Sequence, residues 1–128
     1  AWVEREKGFL NSVDHNPLGM TMYRYKDYLG KLWEFTQEDS IEYLKKGSMY
    51  DMIFIDTSHD YVPTMQELNL ASGLTNNILM DDALFEGNAD AGEPGGVKRA
   101  ITEWTEQNDN WIRVNLWQGN TVLLMEER

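Results

Sequence analysis

The clearest signal in the chain is Tyr50-Asp51-Met52-Ile53-Phe54-Ile55-Asp56, a short unbroken apolar run held between polar residues. A strand buried on both faces has this pattern. A second run, Asn77-Ile78-Leu79-Met80-Asp81-Asp82, ends the same way, and between them Pro63 to Leu74 carries Met65, Leu68, Leu70 and Ala71 at helical spacing. Strand, helix and strand make a βαβ unit, whose right-handed crossover leaves the strands parallel. Asp56, Asp81 and Asp82 then belong to one edge of the sheet.

Upstream, Asp39-x-x-Glu42 has the form of a capping box, with Ile41 and Leu44 as an apolar face and Gly47 to close the end, so a short helix is expected over about 40–46. Lys31 to Thr36 alternates and is rich in β-prone residues, and Phe9 to Val13 is a further short strand. Downstream, Val97, Ala100, Ile101 and Trp104 follow the i, i+3, i+4, i+7 rule of an amphipathic helix. Trp111 to Trp117 and Thr121 to Met125 flank the turn-prone Gln118-Gly119-Asn120 and predict a terminal antiparallel hairpin. Phe85 to Gly96, rich in Gly, Ala, Asn and Asp, is expected to be a mobile loop over the strand ends. Trp104 and Trp111 fall on core-facing positions, whereas Trp33 and Trp117 are candidates for the neighbourhood of a pocket.

At 128 residues, a single domain spanning residues 1–128 is the expectation, with a hydrophobic share of 41% and a charged share of 26%. No stretch approaches the ~18 apolar residues of a bilayer span, and Ala1 to Lys7 lacks the features of an export signal. With no cysteine, a disulfide framework and a thiolate metal site are excluded. These features point to a cytoplasmic protein. Twenty-two acidic against eleven basic side chains give a net charge of −11, which disfavours nucleic acid and anionic membranes as partners.

Open parallel sheets bind ligands beyond the carboxyl ends of their strands. Three carboxylates crowded there repel one another, and a hard divalent cation such as Mg²⁺ relieves that cost. Asp56, Asp81 and Asp82 are therefore candidate metal ligands. The simpler reading is that these aspartates turn the chain out of its strands. Function is preferred because unpaired carboxylates near a core are costly. His59, three residues beyond Asp56, is the natural general base, since an imidazole titrates near neutrality. Its simpler reading is a hydrogen-bonding surface residue. Tyr61 is expected to pack under the loop, and His15, beside Asn16-Pro17, to serve turn chemistry.

Four motifs stand in order: Tyr50 to Tyr61, then Ile78-Leu79-Met80-Asp81-Asp82, then Gly96-Val97-Lys98-Arg99-Ala100-Ile101, then the hairpin. This series resembles the class I S-adenosylmethionine-dependent methyltransferases, closest to the metal-dependent O-methyltransferase branch of catechol and macrocin type, from about Leu32 to the C-terminus. The resemblance implies a Rossmann-like three-layer α/β sandwich, mostly parallel, with strand order 3-2-1-4-5-7-6. It also implies S-adenosylmethionine as methyl donor, a small-molecule hydroxyl as acceptor, and a divalent ion at Asp56, Asp81 and Asp82. Asp14 matches the acidic residue that binds the cofactor's ribose, Asp39 the one that reaches its adenine, and Asp56 is counted with both the cofactor-binding and the catalytic residues. Loop and cap roles are the alternatives for Asp14 and Asp39.

The departure from the family lies at the start. The glycine-rich turn that cradles the methionine part of the cofactor has no counterpart, because Gly8, the first glycine, stands alone. The expectation is a fold without its first strand, as a fragment of a longer enzyme. The alternative is a non-catalytic remnant that self-associates, as a homodimer through unpaired sheet edges. A Mg²⁺-dependent phosphoryl-transfer domain also explains strand-end aspartates but expects the acidic pair to precede the phosphate-accepting Asp, and ranks last.

Overall fold

A computed structural model describes residues 8–19, 23–24, 30–88 and 92–127. The reading of Ala1 to Lys7 lies outside them. Two compact units make up the chain, residues 1–43 and 44–128.

The first unit contains a parallel pair, β1 (Leu10–Asp14) and β2 (Trp33–Gln37), with Leu10 opposite Trp33 and Asp14 opposite Gln37. Trp33 is buried, and its indole N–H donates to Ser12 Oγ at 2.8 Å, so the largest side chain of β2 is tied to β1. Helix α1 (Ser40–Leu44) follows. Its start matches the capping pattern: Asp39 Oδ1 accepts from the backbone N–H groups of Ile41 at 3.0 Å and Glu42 at 3.1 Å.

The second unit is built on β3 (Ile53–Ile55), α2 (Tyr61–Ala71), β4 (Asn77–Met80), α3 (Gly96–Gln107), β5 (Trp111–Leu116) and β6 (Thr121–Glu126). Its sheet has the order β3-β4-β6-β5, parallel between β3 and β4 and antiparallel elsewhere. This is the α/β architecture with a C-terminal antiparallel hairpin expected from the sequence, and the order reproduces the 4-5-7-6 part of the family sheet. No strand among the described residues joins it to the β1-β2 pair.

Period-2 alternation decides which side chains meet the helices. Ile53, Ile78 and Leu124 share one register row and Ile55, Met80 and Val122 another. All pack with Leu68 and Ala71 of α2 and with Val97, Ile101 and Trp104 of α3. Trp104 meets Trp111 edge-on, with centroids 5.3 Å apart, and donates from Nε1 to Asn69 Oδ1 at 3.0 Å. Both helices cover the same face, so the opposite row of Phe54, Leu79, Leu123 and Val114 is less enclosed, and Phe54 is 57% exposed. The reading of β3 as buried on both faces is thereby corrected. Pro63 lies in the first turn of α2, where its missing N–H costs nothing, and the helix starts two residues earlier than the apolar spacing predicts. No helix among the described residues is long and apolar enough to cross a membrane.

Candidate functional site at the strand ends

Parallel pairing sets the ends of β3 and β4 side by side. Ile55 lies opposite Met80, and the Asp81 N–H donates to the Ile55 carbonyl at 3.2 Å. The chain leaves β3 through Asp56-Thr57-Ser58-His59-Asp60 and enters α2. His59 has φ 66° and Asp82 φ 53°, both in the left-handed region that costs a non-glycine residue roughly 1–2 kcal/mol. With that backbone, His59 Nε2 lies 3.1 Å from Asp56 Oδ1 and 2.9 Å from Asp82 Oδ2. Both neighbours are acceptors, so Nε2 is a nitrogen that carries hydrogen in this arrangement. Phe85 meets the imidazole edge-on at 5.6 Å and limits its swing.

Asp56, His59 and Asp82 are a group, among the described residues, that offers three ligand atoms within 4.8 Å of one another. Two carboxylates and an imidazole fit a divalent cation: the carboxylates suit Mg²⁺ and Mn²⁺, and the nitrogen is compatible with Mn²⁺ and Zn²⁺. Asp81 is engaged differently, as its Oδ1 accepts from the Thr121 hydroxyl of β6 at 3.4 Å. In the first unit, the exposed Asp14 accepts from the Asn16 N–H at 2.9 Å, an Asx turn, and Asp39 caps α1 as described. His15 is exposed, with Nδ1 3.5 Å from Asp14 Oδ1, and its carbonyl accepts from Gln37 Nε2. Trp117 is 77% exposed at the hairpin tip, where it has φ 41° and Gln118 φ 60°.

An ionic network flanks the site. Arg99 stacks over the Tyr61 ring at 4.0 Å, donates from Nε to Glu103 at 2.8 Å, and donates from Nη1 to Glu93 at 2.7 Å and to the Pro94 carbonyl at 2.9 Å. The Tyr61 hydroxyl donates to the other oxygen of Glu103. Hydrogen bonds from Tyr61 and then Arg99 hold the Glu103 carboxyl below the usual carboxylate range, and the same Glu103 contact pushes the Tyr61 hydroxyl up. Arg99 is raised by Glu103 first and Glu93 second. Lys98 bridges Glu86 at 2.9 Å and lowers its carboxyl. The loop expected over the site is thus tied to α3 on either side of residues 89–91, which lie outside the described residues. Asp60, Tyr61, Val62, Pro63, Gly92 and Glu93 line an open cleft of about 380 Å³ that starts one residue beyond His59.

Sequence reasoning missed this network and the buried Glu67 of α2, which is 1% exposed and accepts from Thr57 at 2.7 Å. The i, i+4 spacing of Arg99 and Glu103 was the available signal for the first. A glutamate at a core-facing position gives none for the second.

No family model and no curated protein matches the chain. Solved structures do. A protein from Corynebacterium glutamicum superposes with a TM-score of 0.72 at 12% identity, over 96% of this chain and 62% of that one. A candidate caffeoyl-CoA O-methyltransferase from Staphylococcus aureus superposes with a TM-score of 0.61 at 16% identity, over 94% of this chain and 65% of its own. The chain shares their α/β fold. It spans slightly under two thirds of the length of each. At these identities the likeness is one of fold. The shared α/β fold agrees with the fold class expected from the sequence.

Proposed function

We propose that the chain is the acceptor-side part of an S-adenosylmethionine-dependent O-methyltransferase acting on a small-molecule hydroxyl with the help of a divalent cation. The observation that carries this reading is the convergence of Asp56, His59 and Asp82 at neighbouring parallel strand ends, in a fold shared with a candidate O-methyltransferase. Asp56 and Asp82 are the proposed carboxylate ligands, with Asp81 beside them as a further acidic group of the same edge. When bound, the cation would lower the pKa of the acceptor hydroxyl and fix its orientation, and S-adenosylmethionine would supply the methyl group.

The chain's own residues then have distinct tasks. His59 receives the acceptor's proton at Nδ1, the ring nitrogen that carries no hydrogen in this arrangement, while Asp56 and Asp82 hold the Nε2–H and stabilise the charged ring. Phe85 keeps the imidazole at the strand ends. The cleft beside Asp60 and Tyr61 has room for a small acceptor and a polar edge in Glu93. Asp14 and Asp39 are the proposed contacts to the ribose and adenine of the donor, in keeping with carboxylates that accept from a diol or an exocyclic amine. The test is transfer of labelled methyl from S-adenosylmethionine to a panel of small hydroxyl compounds, with and without chelator. Chelator-sensitive transfer supports the reading, and transfer that ignores the chelator removes the cation from it.

A second reading, self-association of a non-catalytic remnant, is favoured by one observation: no strand among the described residues pairs with the outer side of β3. Light scattering that gives a dimer, with no methyl transfer, supports it.

A further inference from the structure

Helix α2 buries two polar side chains one turn apart on its core face, Thr64 and Glu67, each 1% exposed beside the apolar Leu68 and Ala71. Both reach the segment that leaves β3. The Thr57 hydroxyl donates to Glu67 Oε2 at 2.7 Å, and the Thr64 hydroxyl donates to the Asp60 carbonyl at 2.7 Å. The segment is therefore held at Thr57 and at Asp60, and between these points lie Ser58 and the left-handed His59. A buried carboxylate costs several kcal/mol in desolvation and is retained where its hydrogen bonds repay it. A leucine at position 67 would pack with Leu68 and Ala71 and leave the Thr57 hydroxyl without its acceptor.

We infer that Glu67, through Thr57, is a positioning residue for the strand-end site: it holds the Asp56–Asp60 turn in the strained form that keeps His59 Nε2 between Asp56 and Asp82. The logic is that of an outer-shell partner, which fixes the orientation of groups that themselves touch a ligand. The strain at His59 needs such a support, because a left-handed non-glycine residue relaxes when its surroundings allow it. Thr57 serves because its hydroxyl proton is directed inward to the carboxylate while its backbone connects directly to Asp56. The inference rests on the proposed cation site only for its consequence in metal affinity, and its geometric part is tested separately.

The experiment compares wild type, Thr57→Val, Thr57→Ser and Glu67→Gln by two readouts. The first is the NMR signal of the His59 ring, distinguished from His15 with a His15→Gln variant, whose shift reports the Phe85 ring 5.6 Å away. The second is Mn²⁺ affinity by calorimetry. Thr57→Val is expected to move the His59 signal toward its free-peptide position and to weaken Mn²⁺ binding about tenfold, with Thr57→Ser restoring both. Should Glu67→Gln fail to fold, the near-isosteric Thr57→Val decides alone. A wild-type His59 signal in Thr57→Val overturns the inference. Absence of Mn²⁺ binding in the wild type, with the His59 shift still dependent on Thr57, overturns the proposed cation and leaves the positioning role standing.

Discussion

His59 Nε2 lies 3.1 Å from Asp56 Oδ1, three residues earlier, although the chain between them is not helical. The approach comes from the left-handed backbone at His59, which folds the turn back over the end of β3. Replacing Asp56 by Asn keeps the shape of the side chain and removes its charge. Asp56→Asn should leave stability within about 0.5 kcal/mol of wild type, as a partly exposed isosteric change. Mn²⁺ affinity should fall by about tenfold or more, since a neutral amide is a poor ligand for a hard cation. Calorimetric titration of the two proteins checks this.

Gly96 opens α3 with φ 56°, and a Cβ there would meet Gly87 Cα at 2.8 Å and Glu86 C at 2.8 Å. Backbone crosses backbone at this point, so no side-chain rotation relieves the overlap. Gly96→Ala is expected to destabilise the protein by on the order of 3 kcal/mol, from the left-handed φ and the overpacking together. Urea unfolding measures it.

Trp104 is 1% exposed, packs on Trp111 and gives its only side-chain N–H to Asn69. Trp104→Ala should cost about 3–5 kcal/mol. Trp104→Phe should cost less, because an aromatic ring remains against Trp111 and the void is smaller, while the Asn69 acceptor loses its donor. Thermal unfolding of both variants gives the order.

Acid should loosen the Arg99 network. The folded-state pKa of Glu103 is depressed, so its contribution is present above the unfolded carboxylate value of about 4 and is lost as pH falls through the folded value. Tyr61 runs the other way: its raised value means a contribution present below about pH 10 and lost as pH rises through the folded value. Urea midpoints measured from pH 6 to 3 should fall less steeply for Glu103→Gln than for wild type.

Much of the second unit was legible because its signals are periodic. The spacing of Val97, Ala100, Ile101 and Trp104 finds α3, and these are the residues that the structure buries. The apolar runs find β3 and β4, and parallel pairing follows from the helix between them. What escaped depends on single dihedrals and on distant partners. Asp and His are among the non-glycine residues that enter the left-handed region most readily, but most copies of either do not, so residue type alone does not announce the turns at His59 and Asp82 that bring them together. Expectation had Asp81 in the same cluster. Instead, its carboxylate meets Thr121 from a strand forty residues later, a neighbour that local pattern does not reveal. Glu67 escaped because charged residues are rarely buried without a partner, and Thr57, ten residues away, supplies one. Asp39 illustrates a double reading: its capping bonds are in place, and a cap uses the same carboxylate that the family resemblance assigns to adenine.

The most direct test of the account is Mn²⁺ titration followed by NMR, because a paramagnetic ion broadens the signals of the residues nearest to it. The account predicts saturable broadening that begins at Asp56, His59, Asp82 and Phe85 and is lost in Asp56→Asn. Broadening centred elsewhere, or none that saturates, would contradict it.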